Sequence, residues 1–193
     1  MNLIFEESTH TYTLDGEVIP SVTQIIRFLD VDVDKSCPWI RDEAARRGTL
    51  VHQATALIDY GETDVFDMVP PEAQGYVQAY LNFLRDNRCE WKYIELPGWC
   101  EYKGTRYAGT VDRYGEMNGA NTLLDIKTGT SGAKTRHAAQ LTGYRNFPGI
   151  DPECFLYILY LKKDGTYKLV SHLADEEAFE ACLTLHNKLG GKK

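Results

Sequence analysis

The sequence predicts a mixed α/β or α+β domain that begins with a β-hairpin and helices. Segments of alternating polarity concentrate between residues 91 and 127, and segments with helical periodicity lie on both sides of them. Asp15-Gly16 stands between two short alternating segments, which is typical of a tight hairpin. A chain of 193 residues, 43% of them hydrophobic, can bury a core without a metal or a disulfide. We therefore expect one domain over residues 1–193, with its core at about 45–173.

The predicted elements follow the order ββ-α-α-α-ββββ-α-ββ-α. The hairpin comprises 11–14 and 17–19, and Ser21 with Gln24 forms a capping box that begins the first helix. A second helix over 38–60 is expected to be interrupted, or to start afresh, near Gly48. A third helix begins at Pro70-Pro71. The remaining strands are expected at 91–96, 99–102, 107–114, 122–127, 154–161 and 167–172, and the remaining helices at 134–147 and 175–189.

Composition excludes several classes of protein. The longest apolar run, 154–161, is far shorter than the roughly 20 residues of a membrane span, and the N-terminus does not resemble a signal peptide. The cysteine count of five is odd, and no two cysteines have the close spacing of a zinc or iron–sulfur site. We expect a cytoplasmic protein with reduced thiols and no membrane contact. A net charge of -7 argues against coating nucleic acid by charge alone, but it leaves room for a local basic groove.

The segment 123–129 places an acid and a lysine on one face of a strand. Side chains alternate along a strand, so Asp125 and Lys127 share a face while Ile126 points to the other. The short connection from the preceding strand predicts a hairpin neighbour, which brings Asp112 beside Asp125. Two adjacent carboxylates repel each other, and a divalent cation relieves that repulsion. The alternatives are a solvated pair of Asp125 with Lys127, and an ion pair of Asp112 with Arg113 or Arg106.

Two helical segments add polar groups. His52 stands in an apolar helical context, where it is either a hydrogen-bonded core residue or a metal ligand. His137, Gln140 and Tyr144 share one helical face, which is either a solvated edge or part of a site. Residues 126–150 contain no Asp or Glu, which indicates a basic rim for phosphates or a patch of no consequence. The cationic side chains of that stretch are Lys127, Lys134, Arg136 and Arg145.

Together these residues resemble the PD-(D/E)XK nuclease superfamily, and more narrowly its RecB-like exonuclease branch. The resemblance rests on His52, Glu95, 107–113, 124–129 and 140–144, and it covers about residues 45–160. The opening segment 12–23 is similar to small phage- and prophage-borne members. The resemblance implies a restriction-endonuclease-like core, a mixed sheet between helices in the order α-β-β-β-α-β.

The resemblance also implies the parts played by individual residues. Asp112, Asp125 and the main-chain carbonyl of Ile126 would bind a metal, with His52 as a further ligand, and Lys127 would be the catalytic lysine. Gln140 and Tyr144 match the helix motif that supports the site or holds the DNA backbone. Glu95 matches a recurrent acidic position. Such oxygen-rich ligation favours Mg²⁺, and the imidazole makes Mn²⁺ a good substitute.

The function expected from this resemblance is metal-dependent hydrolysis of DNA by an exonuclease, in recombination, repair or phage DNA processing. Lys134, Arg136 and Arg145 are expected to hold the DNA backbone, and a recombination protein is a conceivable partner. Two features depart from larger relatives, since the cysteine spacing does not support an iron–sulfur cluster and the chain has no P-loop for unwinding DNA. The alternatives are a non-catalytic nucleic-acid-binding accessory protein on the same fold and an unrelated α/β domain.

Overall fold

The structure is a computed structural model that describes residues 1–7, 9–29, 38–129 and 134–189. These residues form a three-stranded sheet, a five-stranded sheet and six α-helices, which confirms the predicted α+β class. The strands are β1 (Leu3–Glu6), β2 (Thr11–Leu14), β3 (Glu17–Ile19), β4 (Cys89–Tyr102), β5 (Thr105–Met117), β6 (Ala120–Lys127), β7 (Phe155–Leu161) and β8 (Tyr167–His172). The helices are α1 (Val22–Ile25), α2 (Pro38–Asp59), α3 (Val65–Met68), α4 (Pro71–Asp86), α5 (Lys134–Arg145) and α6 (Glu176–Leu189).

The large sheet is mixed, as predicted. Its strands follow the order β4-β5-β6-β7-β8, in which β6 and β7 are parallel and the other neighbours are antiparallel. The parallel pair requires a crossover, which α5 supplies between β6 and β7. From α4 to β7 the elements follow the order α-β-β-β-α-β.

Helices cover both faces of this sheet. On one face, Val22 of α1, Leu141 of α5 and Phe179 of α6 are fully buried in one core cluster. On the other face, a second cluster joins α2, α3 and α4 to the sheet, and it includes Tyr80 and Ile126. α4 belongs there because its apolar residues recur at helical spacing along one side. The sheet is therefore the middle layer of three.

The N-terminal strands form a small antiparallel sheet that is fastened to β5. The predicted hairpin of β2 and β3 is confirmed, and β1 adds a third strand along β2. The Ala108 amide donates a hydrogen bond of 2.9 Å to the carbonyl of Pro20. The capping box of Ser21 and Gln24 then starts α1, as predicted.

Two predicted boundaries are wrong, and one helix was not predicted. α2 runs without interruption through Gly48, because one glycine costs a helix interior only about 1 kcal/mol and the apolar side of α2 packs on α4. The two strands expected at 91–96 and 99–102 are a single strand, β4. Pro97 is tolerated there because β4 lies at the edge of the sheet. The short helix α3 was not predicted.

Within the described residues, no helix is both long enough and apolar enough to cross a bilayer. Cys89, Cys100, Cys154 and Cys182 are free thiols, and Cys37 lies outside the described residues.

Candidate functional site

Three carboxylates lie in a row across neighbouring strands. The register of β4 and β5 pairs Ile94 with Arg113 and Leu96 with Val111, so Glu95 stands opposite Asp112. The register of β5 and β6 pairs Arg113 with Leu124, which places Asp112 beside Asp125. Each carboxylate thus comes from a different strand, and all three line one cleft. The neighbouring position predicted for Asp112 and Asp125 follows from this pairing.

Glu95 reaches the site from a left-handed backbone. Its φ is 44°, a conformation that non-glycine residues rarely adopt and that costs of order 1–3 kcal/mol. The Glu95 Oε1 atom lies 3.0 Å from His52 Nδ1 and 3.0 Å from the Nη1 atom of Arg113. Burial tends to raise the pKa of Glu95, but His52 and Arg113 outweigh it and lower that pKa. Glu95 is therefore an ionised member of the cluster.

His52 projects from α2 into the same group of acids. Its Nδ1 atom faces Glu95, its Nε2 atom lies 3.1 Å from the carbonyl oxygen of Ile126, and Asp112 Oδ1 is 3.7 Å from Nδ1. Both ring nitrogens thus face acceptors, as an imidazolium requires. Burial lowers the pKa of His52, but Asp112 and Glu95 overcome that effect and raise it to about 9. In this arrangement the imidazolium supplies the positive charge between the carboxylates.

Asp112 is tied to the next strand by its own side chain. Its Oδ2 atom accepts a 2.7 Å hydrogen bond from the amide of Ile126. Burial raises the pKa of Asp112 to about 7, with His52 opposing the rise and Asp125 adding to it. The alternative ion pairs do not form, since Arg106 pairs with Glu101 and Arg113 contacts Asp112 through the backbone carbonyl.

Asp125 and Lys127 share a face of β6, and Ile126 is buried in the opposite core. The Lys127 Nζ atom lies 2.6 Å from Asp125 Oδ2, and the side chain of Asp125 is only 3% exposed. Gln140 Nε2 donates hydrogen bonds of 3.0 Å to Asp125 Oδ1 and 3.2 Å to the Tyr144 hydroxyl. The pair is therefore a buried one supported by α5, not a solvated pair at a strand end.

Tyr144 can occupy this position because β5 has a glycine beneath it. A Cβ atom on Gly109 would stand 2.6 Å from Tyr144 Cε1, which is far inside van der Waals contact. The Oε1 atom of Gln140 is buried and has no hydrogen-bond partner within the described part of the chain. One acceptor thus remains available next to Asp125.

The donor set fits a hard divalent cation. His52, Glu95 and Asp112 each offer a ligand atom, and these atoms lie within 4.8 Å of one another. The carbonyl oxygen of Ile126 lies 3.1 Å from Nε2, at the opposite edge of the His52 ring from Nδ1 and Glu95, so its expected part as a ligand stays a prediction. Carboxylate oxygens with one imidazole suit Mg²⁺ or Mn²⁺. Glu95 thus has a more central place than its sequence motif indicated, whereas the Asp125 carboxylate is engaged by Lys127 and Gln140.

Arg113 supports the site from the buried side of the sheet, and this role was not predicted from the sequence. The side chain is fully buried, with Nε 2.5 Å from Asp59 Oδ2 and Nη2 3.0 Å from Thr55 Oγ1. Its Nη1 atom donates to Glu95 and to the Asp112 carbonyl, at 3.0 and 2.6 Å. The only signal in the sequence was its position next to Asp112, on the opposite face of the strand.

The cleft above these residues has a volume of about 680 Å³. Its lining includes His52, Asp112 and Lys127, together with Phe5 and Tyr12 of the N-terminal sheet. Among the described residues that line the cleft, Lys134, Arg136 and Arg145 do not occur. Arg145 pairs with Glu176 and lines a different cavity, beside Cys154. The structure therefore does not bring the three predicted DNA-backbone contacts to the cleft, and their part in binding stays a prediction.

Comparison with known proteins adds little to this geometry. No family model matches the chain. No curated protein matches it. Among solved structures, the chain is similar to the crystal structure of SSO0001, with 17% sequence identity, a TM-score of 0.39 and coverage of 74% of each chain. A likeness this distant says nothing about activity.

Proposed function

We propose that this protein is a divalent-metal-dependent nuclease that hydrolyses phosphodiester bonds in DNA. The observation that carries the proposal is the convergence of His52, Glu95 and Asp112, within 4.8 Å, in the cleft that also holds Lys127. The resemblance to RecB-like nucleases motivates three further parts of the proposal. They are exonuclease action, a cytoplasmic location, and work in recombination, repair or phage DNA processing, where a recombination protein is the expected partner.

His52, through Nδ1, and the carboxylates of Glu95 and Asp112 would hold Mg²⁺ or Mn²⁺. Such a cation, when bound, offsets charge on the phosphoryl oxygens and lowers the pKa of a water molecule. To accept it, His52 must release the proton that it holds between Glu95 and Asp112. The proton leaves an imidazole nitrogen that is then free to bind a cation. The protein thus presents preformed ligand atoms, and a bound cation would take the place of the proton on His52.

Lys127 is positioned to act on the reacting phosphate. Asp125 holds the ammonium group at 2.6 Å, and Gln140 holds Asp125 in turn. A side chain fixed in this way can donate a hydrogen bond to a phosphate oxygen or orient the attacking water. The Lys127 side chain lines the cleft and is 28% exposed. Asp125 and Gln140 therefore serve as positioning residues for Lys127.

The test is cleavage of end-labelled single- and double-stranded DNA in Mg²⁺ and in Mn²⁺. Asp112→Asn should abolish cleavage and Lys127→Met should slow it by about 100- to 1,000-fold. Exposed residues outside the cleft give matched controls, Asp67→Asn and Lys168→Met. Binding is measured in parallel in Ca²⁺. DNA binding without cleavage in either metal would support the non-catalytic accessory protein instead. Absence of both binding and cleavage would refute both functions.

A further inference from the structure

The small N-terminal sheet supplies an aromatic wall to the cleft. Phe5, His10 and Tyr12 line the same cleft as His52 and Lys127, and these three rings are called the aromatic wall below. Phe5 and Tyr12 stack with ring centroids 4.6 Å apart and an interplanar angle of 23°. His10 meets Phe5 edge-on, at 5.2 Å and 86°. Tyr12 is buried, Phe5 is half-buried and His10 is exposed, so the wall presents ring surface to the cleft.

The aromatic wall is fixed at a set position relative to the candidate metal ligands. The Tyr12 hydroxyl lies 2.8 Å from Thr110 Oγ1, two residues before Asp112 on β5. Gln53 follows His52 on α2, and its Nε2 atom donates a 3.3 Å hydrogen bond to the carboxylate of Glu7. The wall is therefore tied to two of the three elements that carry the candidate ligands, α2 and β5, and a molecule bound at the site would also meet the rings.

The wall suits a nucleobase and not a phosphate. Every base has a π-face that stacks on aromatic side chains without regard to sequence. The carboxylate of Glu7 lines the wall and repels a phosphate, but it can accept a hydrogen bond from an exocyclic amino group of a base. Lys127 and the candidate metal ligands line the same cleft, and the lysine together with a cation held by those ligands would attract a phosphate. The cleft therefore offers ring surface for a base as well as positive charge for a phosphate.

The size of the cleft restricts the form of the nucleic acid. Its volume of about 680 Å³ falls in the range of small-ligand pockets, which is roughly 300–1,000 Å³. A nucleotide or two of an unpaired strand fits a space of this size. Stacking on the wall also requires a base whose face is free of its neighbour.

We infer that Phe5 and His10 form a base-stacking subsite that selects single-stranded or frayed DNA ends, with the stacked base adjacent to the phosphate at the site. This inference rests on the proposed nuclease function and names its substrate class. Tyr12 supports the subsite from behind through its stacking on Phe5 and its contact with Thr110.

The test measures fluorescence anisotropy of labelled oligonucleotides with the full chain in Ca²⁺. The combined change Phe5→Leu and His10→Ala should weaken binding of single-stranded DNA about 5- to 150-fold, the equivalent of about 1–3 kcal/mol for a lost base stack. Binding of a blunt duplex should change less than twofold. Phe5→Trp should retain binding, and Phe155→Leu, an exposed aromatic outside the cleft, is the matched control.

A second measurement starts from the unaltered protein, whose result the misfolding of a variant cannot obscure. A series of single-stranded oligonucleotides carries one abasic nucleotide, moved by one position at a time from the end. One position should show the same loss of affinity as the double variant, and the double variant should be insensitive to that position. A flat abasic series, or a double variant that binds like the wild type while cleavage persists, would overturn the subsite and leave the nuclease function standing. Loss of all cleavage and DNA binding in the wild type would instead overturn the nuclease function and the subsite with it.

Discussion

Replacement of Arg113 tests how the back of the site is held together. Arg113→Met keeps most of the side-chain volume but removes the charge that faces Asp59 and Glu95. Asp59 is left in a pocket where its side chain is only 4% exposed. Removal of one partner from a buried ion pair costs about 3–5 kcal/mol, because the other charge stays buried without compensation. For a chain of this length that corresponds to a fall in the melting temperature of roughly 6–20 °C.

The same substitution has a pH signature that distinguishes charge from packing. Burial already raises the pKa of Asp59, and Arg113 opposes that rise. Without Arg113 the pKa of Asp59 should rise further, so the carboxyl can become neutral as the pH falls. The loss of stability should thus be smaller at pH 5 than at pH 8, and a second change, Asp59→Asn, should recover about 1–3 kcal/mol at pH 8. Thermal and urea unfolding followed by circular dichroism measure both effects. A loss below about 1 kcal/mol, or one independent of pH, would refute this account of Arg113.

Three further predictions concern the site itself. The apparent affinity for Mn²⁺ should rise between pH 6 and pH 9, since protons on Asp112 (pKa about 7) and His52 (pKa about 9) compete with the cation; calorimetric titration measures it. Lys127→Ala should leave DNA affinity in Ca²⁺ nearly intact but slow cleavage by about 100- to 1,000-fold, as loss of one transition-state contact does. Gly109→Ala should cost about 1–3 kcal/mol of unfolding free energy, because its Cβ would stand 2.6 Å from Tyr144.

Each of these predictions has an outcome that contradicts it. A Mn²⁺ affinity that stays constant over that pH range would mean that the cation binds elsewhere. Wild-type cleavage by Lys127→Ala would remove the lysine from the reaction. Unfolding of Gly109→Ala at the wild-type denaturant midpoint would show that Tyr144 can move aside without cost.

The sequence was sufficient for the parts of the site that depend on local rules. Strand alternation placed Asp125 and Lys127 on one face, and a short connection between neighbouring strands placed Asp112 beside them. The contact of the His52 ring with the Ile126 carbonyl was also foreseeable, because the resemblance implied that both residues belong to one site.

The remaining parts depend on contacts between distant segments. The left-handed backbone of Glu95 has no residue signal, because glycine and asparagine are the usual markers of that conformation. Strand β1 is defined only by its pairing with β2, so no periodicity of its own reveals it. Arg145 was expected on DNA because its own segment contains no acid, but α6 brings Glu176 to it from 31 residues away.

The most direct test of the central claim is the position of Mn²⁺ in crystals soaked at pH 8.5, where the imidazole of His52 can exchange its proton for a cation. The account predicts an anomalous peak within about 2.0–2.4 Å of donor atoms of His52, Glu95 and Asp112, with Lys127 beside it. A peak elsewhere in the molecule, with the ring of His52 still between Glu95 and Ile126, would contradict it.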